Sequence, residues 1–92
     1  MENNFRWQLS PEALFSKVDD EVIIMSLASD RYIGLDPVGS RIWELLSNPL
    51  TLDELCAQLL EEYNVDASVC RQDTLELLET LRNKGLVLQL PA

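Results

Sequence analysis

The stretch Arg31-Tyr-Ile-Gly-Leu-Asp36, which runs directly into Pro37-Val-Gly-Ser-Arg-Ile-Trp-Glu-Leu-Leu46, decides the fold of this chain. Residues 31–35 include β-branched and aromatic side chains and no proline, which favours a strand. Asp36 then stands where a helix N-cap is expected. Pro37 suits the first helical position because its missing N–H needs no partner there. The junction therefore predicts a small sheet that meets a set of helices.

Length and charge restrict the class of protein. The chain has 92 residues, a hydrophobic fraction of 47% and a formal net charge of −9. These values predict one globular domain over residues 1–92. No apolar run approaches the roughly 20 residues of a membrane helix, and residues 1–7 do not resemble a signal peptide, so we expect a cytoplasmic protein with no membrane partner. Because phosphate backbones repel an acidic chain, we expect no nucleic-acid partner either.

The sequence offers little to support catalysis. It contains no histidine to act as a general base, and no Gly-rich phosphate loop or nucleophile elbow. Cys56 and Cys70 are too few for a structural zinc site, which needs about four ligands. We interpret them as buried reduced thiols, with a disulfide as the alternative. We therefore expect no enzyme, no metal and no cofactor.

Strands are predicted before the junction and helices after it. The predicted strands are Leu14–Val18, residues 22–28 and residues 31–35, separated by turns at Asp19-Asp20-Glu21 and Ser29-Asp30. Two-residue loops at both turns would place Phe15 and Lys17 opposite Ile24 and Val22, Ile24 opposite Leu35, and Ser26 opposite Ile33. Residues 1–13 are interpreted as an entry segment with a turn at Ser10-Pro-Glu12, in which Phe5 and Trp7 either cover an end of the core or form a loose arm.

Three helices should follow. The first spans residues 37–46, and the second opens with the capping box Thr51-Leu-Asp-Glu54 and continues to Tyr63. The third begins near Asp66 and runs to about Lys84, with residues 86–90 as a short final strand or an extended tail. The predicted fold class is α+β, a winged helix-turn-helix with a three-stranded antiparallel sheet followed by three helices.

The third helix presents two different flanks. A narrow stripe predicted to face the core comprises Cys70, Thr74, Leu77 and Leu81. The flank on one side is apolar and basic and comprises Arg71, Leu75, Leu78 and Arg82. The flank on the other side is polar and comprises Asp73, Glu76, Thr80 and Asn83. The apolar and basic flank is either part of a wide core-facing arc or the wall of a binding groove.

The segment Tyr32-Ile-Gly-Leu-Asp-Pro-Val-Gly-Ser-Arg-Ile-Trp43 resembles the Tyr-x-x-Leu-Asn-x-x-Gly-x-x-Ile-Trp signature of PqqD-like proteins. Further segments similar to that family are Thr51-Leu-Asp-Glu-Leu55, Glu62-Tyr-Asn-Val-Asp66 and Leu81-Arg-Asn-Lys-Gly-Leu86. The resemblance covers roughly residues 9–90. Asp36 stands where the family commonly has Asn, and both residues can cap a helix.

This resemblance implies a recognition element for ribosomally synthesised and post-translationally modified peptides (RiPPs). Such domains bind the leader part of a precursor peptide and present it to a modifying enzyme. Within the family, the chain most resembles the stand-alone leader-binding protein of lasso-peptide pathways. That protein works with a separate transglutaminase-like leader peptidase, and a cyclase is a further candidate partner. The family binds its leader as an added strand beside the third strand and against the third helix.

The residues themselves are compatible with strand addition. An unpaired strand edge is a template for an extended peptide, and the resemblance places that edge at Arg31, Tyr32, Ile33, Gly34 and Leu35. Gly34 would allow close backbone approach, or would form a bulge that blunts the edge. The helix residues predicted to contact the peptide are Arg71, Thr74, Leu75, Leu78 and Arg82. In this prediction the leucines contact apolar side chains of the peptide and the arginines contact acidic ones.

Two alternatives to peptide binding remain open. A winged helix can bind DNA, but the third helix opposes its basic residues with Asp73, Glu76 and Glu79 and forms no basic stripe. A plain protein-interaction domain with no free peptide ligand is the second alternative. Calorimetry with candidate leaders distinguishes that domain from a leader-binding one.

Overall fold

The computed structural model describes residues 5–26 and 30–91, so residues 27 and 28 of the second predicted strand and Ser29 of the predicted turn lie outside the description. Its elements in chain order are β1 (Phe5–Leu9), β2 (Leu14–Val18), β3 (Glu21–Ser26), β4 (Arg31–Gly34), α1 (Pro37–Leu45), β5 (Leu50–Thr51), α2 (Leu52–Glu62), α3 (Ala67–Asn83) and β6 (Val87–Pro91). The described fold is α+β, with three helices and two three-stranded antiparallel sheets ordered β2-β3-β4 and β5-β1-β6. Among these helices, none has the length and apolar character needed to cross a membrane.

The first predicted hairpin, between β2 and β3, is confirmed. Phe15 lies opposite Ile24, and only Asp19 and Asp20 separate the last paired residues of the two strands. Asp19 has a φ of 58°, a left-handed conformation that aspartate tolerates because its short polar side chain can hydrogen-bond locally. Because the turn is this short, β2 and β3 can pair in only one register.

The predicted register between β3 and β4 is wrong by two residues. Ile24 lies opposite Ile33 rather than Leu35, and Ser26 lies opposite Arg31 rather than Ile33. A slip of two residues leaves every side chain on its original face of the sheet. The hydrophobic pattern therefore cannot distinguish the two registers.

A second sheet, which the sequence analysis missed, brings together the N-terminal and C-terminal strands of the described chain. β1 lies between β5 and β6, a strand that was not predicted, whereas the predicted turn at Ser10-Pro-Glu12 is confirmed by a hydrogen bond from the Ala13 N–H to the Ser10 carbonyl at 3.1 Å. Trp7, in the middle of β1, is buried. The order Phe-Arg-Trp-Gln-Leu alternates apolar and polar residues, which is the pattern of a half-buried strand. β6 confirms the strand alternative for the C-terminal segment.

Side-chain caps start the helices at the predicted positions. Asp36 accepts a hydrogen bond from the Gly39 N–H at 2.7 Å and caps α1. Thr51 and Glu54 form both hydrogen bonds of the capping box at the start of α2. At the start of α3, hydrogen bonds from the Ser68 hydroxyl and the Val69 N–H lower the pKa of the Asp66 carboxyl. Local chemistry is therefore enough to begin each helix.

The core centres on the junction between β4 and α1. Trp43 is fully buried and Leu35 is 8% exposed, and the ring of Phe15 packs edge-on against Trp43 at 5.3 Å. The buried hydroxyl of Ser40 donates to the Leu35 carbonyl at 3.1 Å and accepts from the Val22 N–H at 2.7 Å. One serine therefore ties the end of β4 and the start of β3 to α1.

Candidate functional site

A cleft of about 770 Å³ opens between the end of β4, the first half of α1 and one flank of α3. We call it the groove. Buried side chains form its floor: Leu35, Ile42, Leu59, Cys70 and Thr74. The other residues that line it are Gly34, Asp36, Val38, Gly39, Tyr63, Val65, Val69, Asp73, Glu76, Leu77 and Thr80. Most of this surface is apolar, which is typical of a site that binds apolar side chains.

Three valines at the groove are unusually exposed. Val38, Val65 and Val69 expose 42%, 49% and 51% of their surface, and all three line the groove. Single exposed apolar side chains are common, but a group of them around one cleft indicates a contact surface. These residues were not predicted from the sequence. The feature of the sequence that could have indicated them is the position of Val65 and Val69 among polar residues near the start of α3.

Gly39 lies where a side chain would crowd the N-cap of α1 at the groove. A Cβ atom at this buried position would lie 3.1 Å from Asp36 Oδ1 and 3.5 Å from Leu77 Cδ2. The distance to Asp36 is tighter than an ordinary contact, whereas the distance to Leu77 is not. The glycine at this position therefore leaves room for the N-cap hydrogen bond of Asp36.

β4 presents an open edge beside the groove. Among the described residues, only β3 pairs with it. The Leu35 N–H donates to the Val22 carbonyl at 2.9 Å, so by the alternation of an antiparallel ladder Leu35 and Ile33 point their main-chain groups toward β3. The main-chain N–H and C=O groups of Tyr32 and Gly34 then point outward. These outward groups are available to an added strand.

Gly34 does not form the bulge considered from the sequence. Its pairing with Ile23 continues the register of β4 without an extra residue. A Cβ atom built on Gly34 would meet no atom within 4 Å. Packing within the described chain therefore does not require glycine here.

The basic residues predicted as part of a groove wall lie elsewhere. Arg71 forms an ion pair with Asp53 of α2. Arg82 donates a hydrogen bond to Gln89 of β6 at 2.6 Å. This flank of α3 therefore faces α2 and the second sheet rather than β4.

The two leucines of the same flank also lie outside the groove lining. Leu78 is fully buried, and Leu75 is partly buried against the core. Leu75 and Leu78 thus belong to a wide core-facing arc, and Arg71 and Arg82 lie at its exposed margin. The groove instead uses Leu77, which was assigned to the core stripe, together with the polar flank. A helical wheel gives the angle of each side chain but does not show which element packs against that side of the helix. The wheel alone therefore could not show which flank of α3 lines the groove.

Only part of the predicted site is brought together. Gly34, Leu35 and Thr74 line the groove. Arg31, Tyr32 and Ile33 belong to the strand whose open edge borders it. Arg71, Leu75, Leu78 and Arg82 are separated from it by the body of α3. The predicted site residues of β4 therefore lie at the groove, whereas most of the predicted site residues of α3 lie on the opposite side of that helix.

The charged side chains that line the groove within the described residues are all acidic: Asp36, Asp73 and Glu76. The Asp36 carboxylate already caps α1. Asp73 and Glu76 lie on the exposed surface of α3. The groove therefore combines an apolar floor with a negatively charged wall.

An ion pair holds α1 against the end of α2 beside the groove. Arg41 donates from Nε and Nη2 to the two carboxylate oxygens of Glu62, each at 2.8 Å. These hydrogen bonds, with one from Gln58, lower the pKa of Glu62 to about 2. The neighbouring Tyr63 lines the groove. An exposed ion pair therefore joins α1 to α2 beside the groove.

Cys56 does not have the character of a catalytic thiol. Both are free and buried, and Cys70 forms part of the groove floor. Burial, and then the neighbouring Cys70, raise the pKa of the Cys56 thiol, so Cys56 carries little of the reactive thiolate at neutral pH. Within residues 5–26 and 30–91, no group of three acidic, cysteine or histidine residues is placed to hold a metal ion.

Comparison with known proteins adds an independent line of observation. The family model described as Coenzyme PQQ synthesis protein D (PqqD) matches residues 21–87. Among solved structures, TbiB1 in complex with the TbiA(beta) leader peptide is 36% identical, with a TM-score of 0.79, over 87% of this chain and 93% of that chain. A search of curated proteins finds no match to the chain.

Two more distant structures share the fold. A lasso peptide synthetase B1 complexed with the leader peptide has a TM-score of 0.77 at 22% identity, over 89% of this chain and 96% of that chain. The PqqD truncation of Methylobacterium extorquens PqqCD, described as a functional and stand-alone RiPP recognition element, has a TM-score of 0.74 at 16% identity, over 90% of this chain and 88% of that chain. At these identities the likeness concerns the fold alone.

Proposed function

We propose, since the chain belongs to the PqqD family, that it is a RiPP recognition element that binds the leader of a lasso-peptide precursor in the groove. The observation that carries this proposal is the open edge of β4 beside an apolar cleft. The main-chain edge supplies hydrogen bonds and the cleft supplies side-chain contacts. An extended peptide can use both at once.

The geometry supports a specific mode of strand addition. The peptide would exchange main-chain hydrogen bonds with Tyr32 and Gly34, whose N–H and C=O groups point away from β3. Every second side chain of the peptide would then point toward α3 and the groove floor. The exposed valines at the groove, including Val38, would be covered by these side chains. Burial of that apolar surface contributes affinity, and the alternation of side chains contributes specificity.

The 36% identical neighbour supports the choice of ligand, since it is a complex with a leader peptide. The family resemblance further supports a role in presenting the bound leader to processing enzymes. A transglutaminase-like leader peptidase is the first candidate for such a partner, and a cyclase is the second. In this role the chain binds and positions the peptide, and the partner supplies the chemistry.

Amide exchange combined with calorimetry tests the proposal. The TbiA(beta) leader peptide and leaders encoded near the gene of this chain are titrated into the protein, and exchange is compared with and without peptide. The Tyr32 and Gly34 amides should exchange more slowly in the complex because they gain partners. The Ile33 and Leu35 amides should change less because they already bond to β3.

Two controls make this test decisive. A leader N-methylated at the residue that bonds to β4 lacks one donor and should bind at least several-fold more weakly. Protection confined to α2 would contradict strand addition. The DNA alternative is tested by a gel shift with mixed-sequence duplex at low salt, where the acidic wall of the groove predicts no binding.

A further inference from the structure

We infer that the segment of the leader bound beside β4 carries a lysine or arginine facing α3, and that Asp73 and Glu76 select it. This inference rests on the leader binding proposed above and specifies the chemistry of the ligand. It differs from the expectation based on Arg71 and Arg82, which favoured acidic leader residues.

The two carboxylates are placed to act together. Asp73 and Glu76 are three residues apart on α3, so they are neighbours on one face of the helix. Both line the groove. In the described part of the chain, neither belongs to an ion pair or a side-chain hydrogen bond. Their charges are therefore available to a ligand.

Within the described residues, no basic side chain lines the groove. Four basic side chains are already paired with other carboxylates, in Arg6–Glu54, Lys17–Glu44, Arg41–Glu62 and Arg71–Asp53, and of these pairs Arg41–Glu62 lies beside the groove. The whole chain carries a formal charge of −9. A peptide that enters the groove therefore meets a negative potential on the α3 side, which favours a positively charged segment.

The apolar part of the groove determines which cation fits. Val69 and Leu77 line the cleft on the same helix as the two carboxylates. A lysine or arginine can lay its aliphatic stem along such residues while its charged head reaches the carboxylates. An aspartate or glutamate in that place would face like charge. The expected ligand segment therefore alternates apolar side chains for the floor with one basic side chain for the wall.

The expected selectivity is modest because both carboxylates are exposed. An exposed ion pair contributes roughly a twofold to fivefold change in affinity, and salt weakens it. The effect should therefore appear as a ranking among leaders of otherwise equal sequence rather than as all-or-none binding.

A matched peptide series tests the inference. Each residue of the TbiA(beta) leader is replaced singly by Lys, Gln or Glu, and the dissociation constants are measured by calorimetry at low and moderate salt. At a position that faces α3, Lys should bind roughly twofold to fivefold more tightly than Gln, and Gln more tightly than Glu. The double variant D73N/E76Q should remove this order. The matched control is Glu79→Gln, which removes an exposed acid of α3 that does not line the groove and should preserve the order.

The outcomes separate this inference from the proposal beneath it. A series that binds without any charge order, or an order that Glu79→Gln removes as effectively as D73N/E76Q, overturns the charge inference and leaves leader binding intact. If no peptide binds, including the neutral members and leaders encoded near the gene, the leader-binding proposal fails and the charge inference fails with it. A salt-sensitive preference for Lys that D73N/E76Q alone removes supports both.

Discussion

The two flanks of α3 lie in surroundings that their composition does not indicate. The flank of Arg71, Leu75, Leu78 and Arg82 has the composition of a ligand surface, yet it faces α2 and the second sheet. The flank of Asp73, Glu76 and Thr80, with Leu77 at its edge, has the composition of a solvated face, yet it lines the groove. Whether a helix flank is open depends on which elements lie next to it, and composition only limits the choice.

The largest effect that tests this comparison is on stability. Leu78 is fully buried, so Leu78→Ala should lower the free energy of unfolding by about 2–5 kcal/mol, through lost burial and the cavity it leaves. The matched control is Leu77→Ala, which removes a partly buried side chain at the groove and should cost less. Urea unfolding followed by circular dichroism measures both. Equal losses would show that the groove flank is packed as tightly as the covered flank.

The second effect is on affinity. Leu77→Glu places a carboxylate beside the apolar floor and should weaken leader binding by about 1–2 kcal/mol, because an apolar contact is lost and a charge is desolvated. Leu75→Glu, on the covered flank, should lower stability while the remaining folded protein binds the leader as before. Calorimetry on both variants decides the matter. A larger loss of leader affinity in Leu75→Glu than in Leu77→Glu would instead indicate that the flank predicted from the sequence is the binding surface.

A third test measures how stability changes at acid pH, because the exposed Arg41–Glu62 ion pair lies beside the groove. The pKa of Glu62 is lowered to about 2 in the folded protein, whereas an unperturbed glutamate has a pKa of about 4.3. A carboxyl with a lowered folded-state pKa stabilises the fold fully above its unfolded pKa, and this contribution is lost as the pH falls through the folded value.

Glu62→Gln should therefore flatten the loss of stability between about pH 5 and pH 2. Melting temperatures recorded across that range measure the effect. The control is Glu61→Gln, which changes the adjacent exposed glutamate of α2. If the melting temperatures of the two variants depend on pH in the same way, the ion pair of Glu62 with Arg41 does not stabilise the fold beside the groove.

The smallest expected effect is at the basic residues of the covered flank. Because Arg71 pairs with Asp53 and Arg82 with Gln89, changing either arginine to alanine should leave leader affinity within about twofold of the parent, as expected for exposed polar groups outside the site. Fluorescence anisotropy with a labelled leader is precise enough to show this. A selective loss of affinity for acidic leaders would indicate that these arginines contact the peptide.

Local sequence alone was enough for the helix starts and for the first hairpin. Asp36 and the Thr51–Glu54 box satisfy orphan N–H groups within their own helices, so their effect does not depend on distant partners. The Asp19-Asp20 turn likewise leaves its two strands one register. The ordered motif from Tyr32 to Trp43 was enough to indicate the family.

The tertiary structure decided the rest, because those features depend on contacts between distant segments. A slip of two residues between β3 and β4 preserves both faces of the sheet, so only the assembled sheet selects the observed pairing of Ile24 with Ile33. β1 becomes a central strand only because β5 and β6, far along the chain, pair with it. β6 and α2 cover one flank of α3 and leave the groove on the other, because a helix packs its apolar side against whatever elements the rest of the chain supplies.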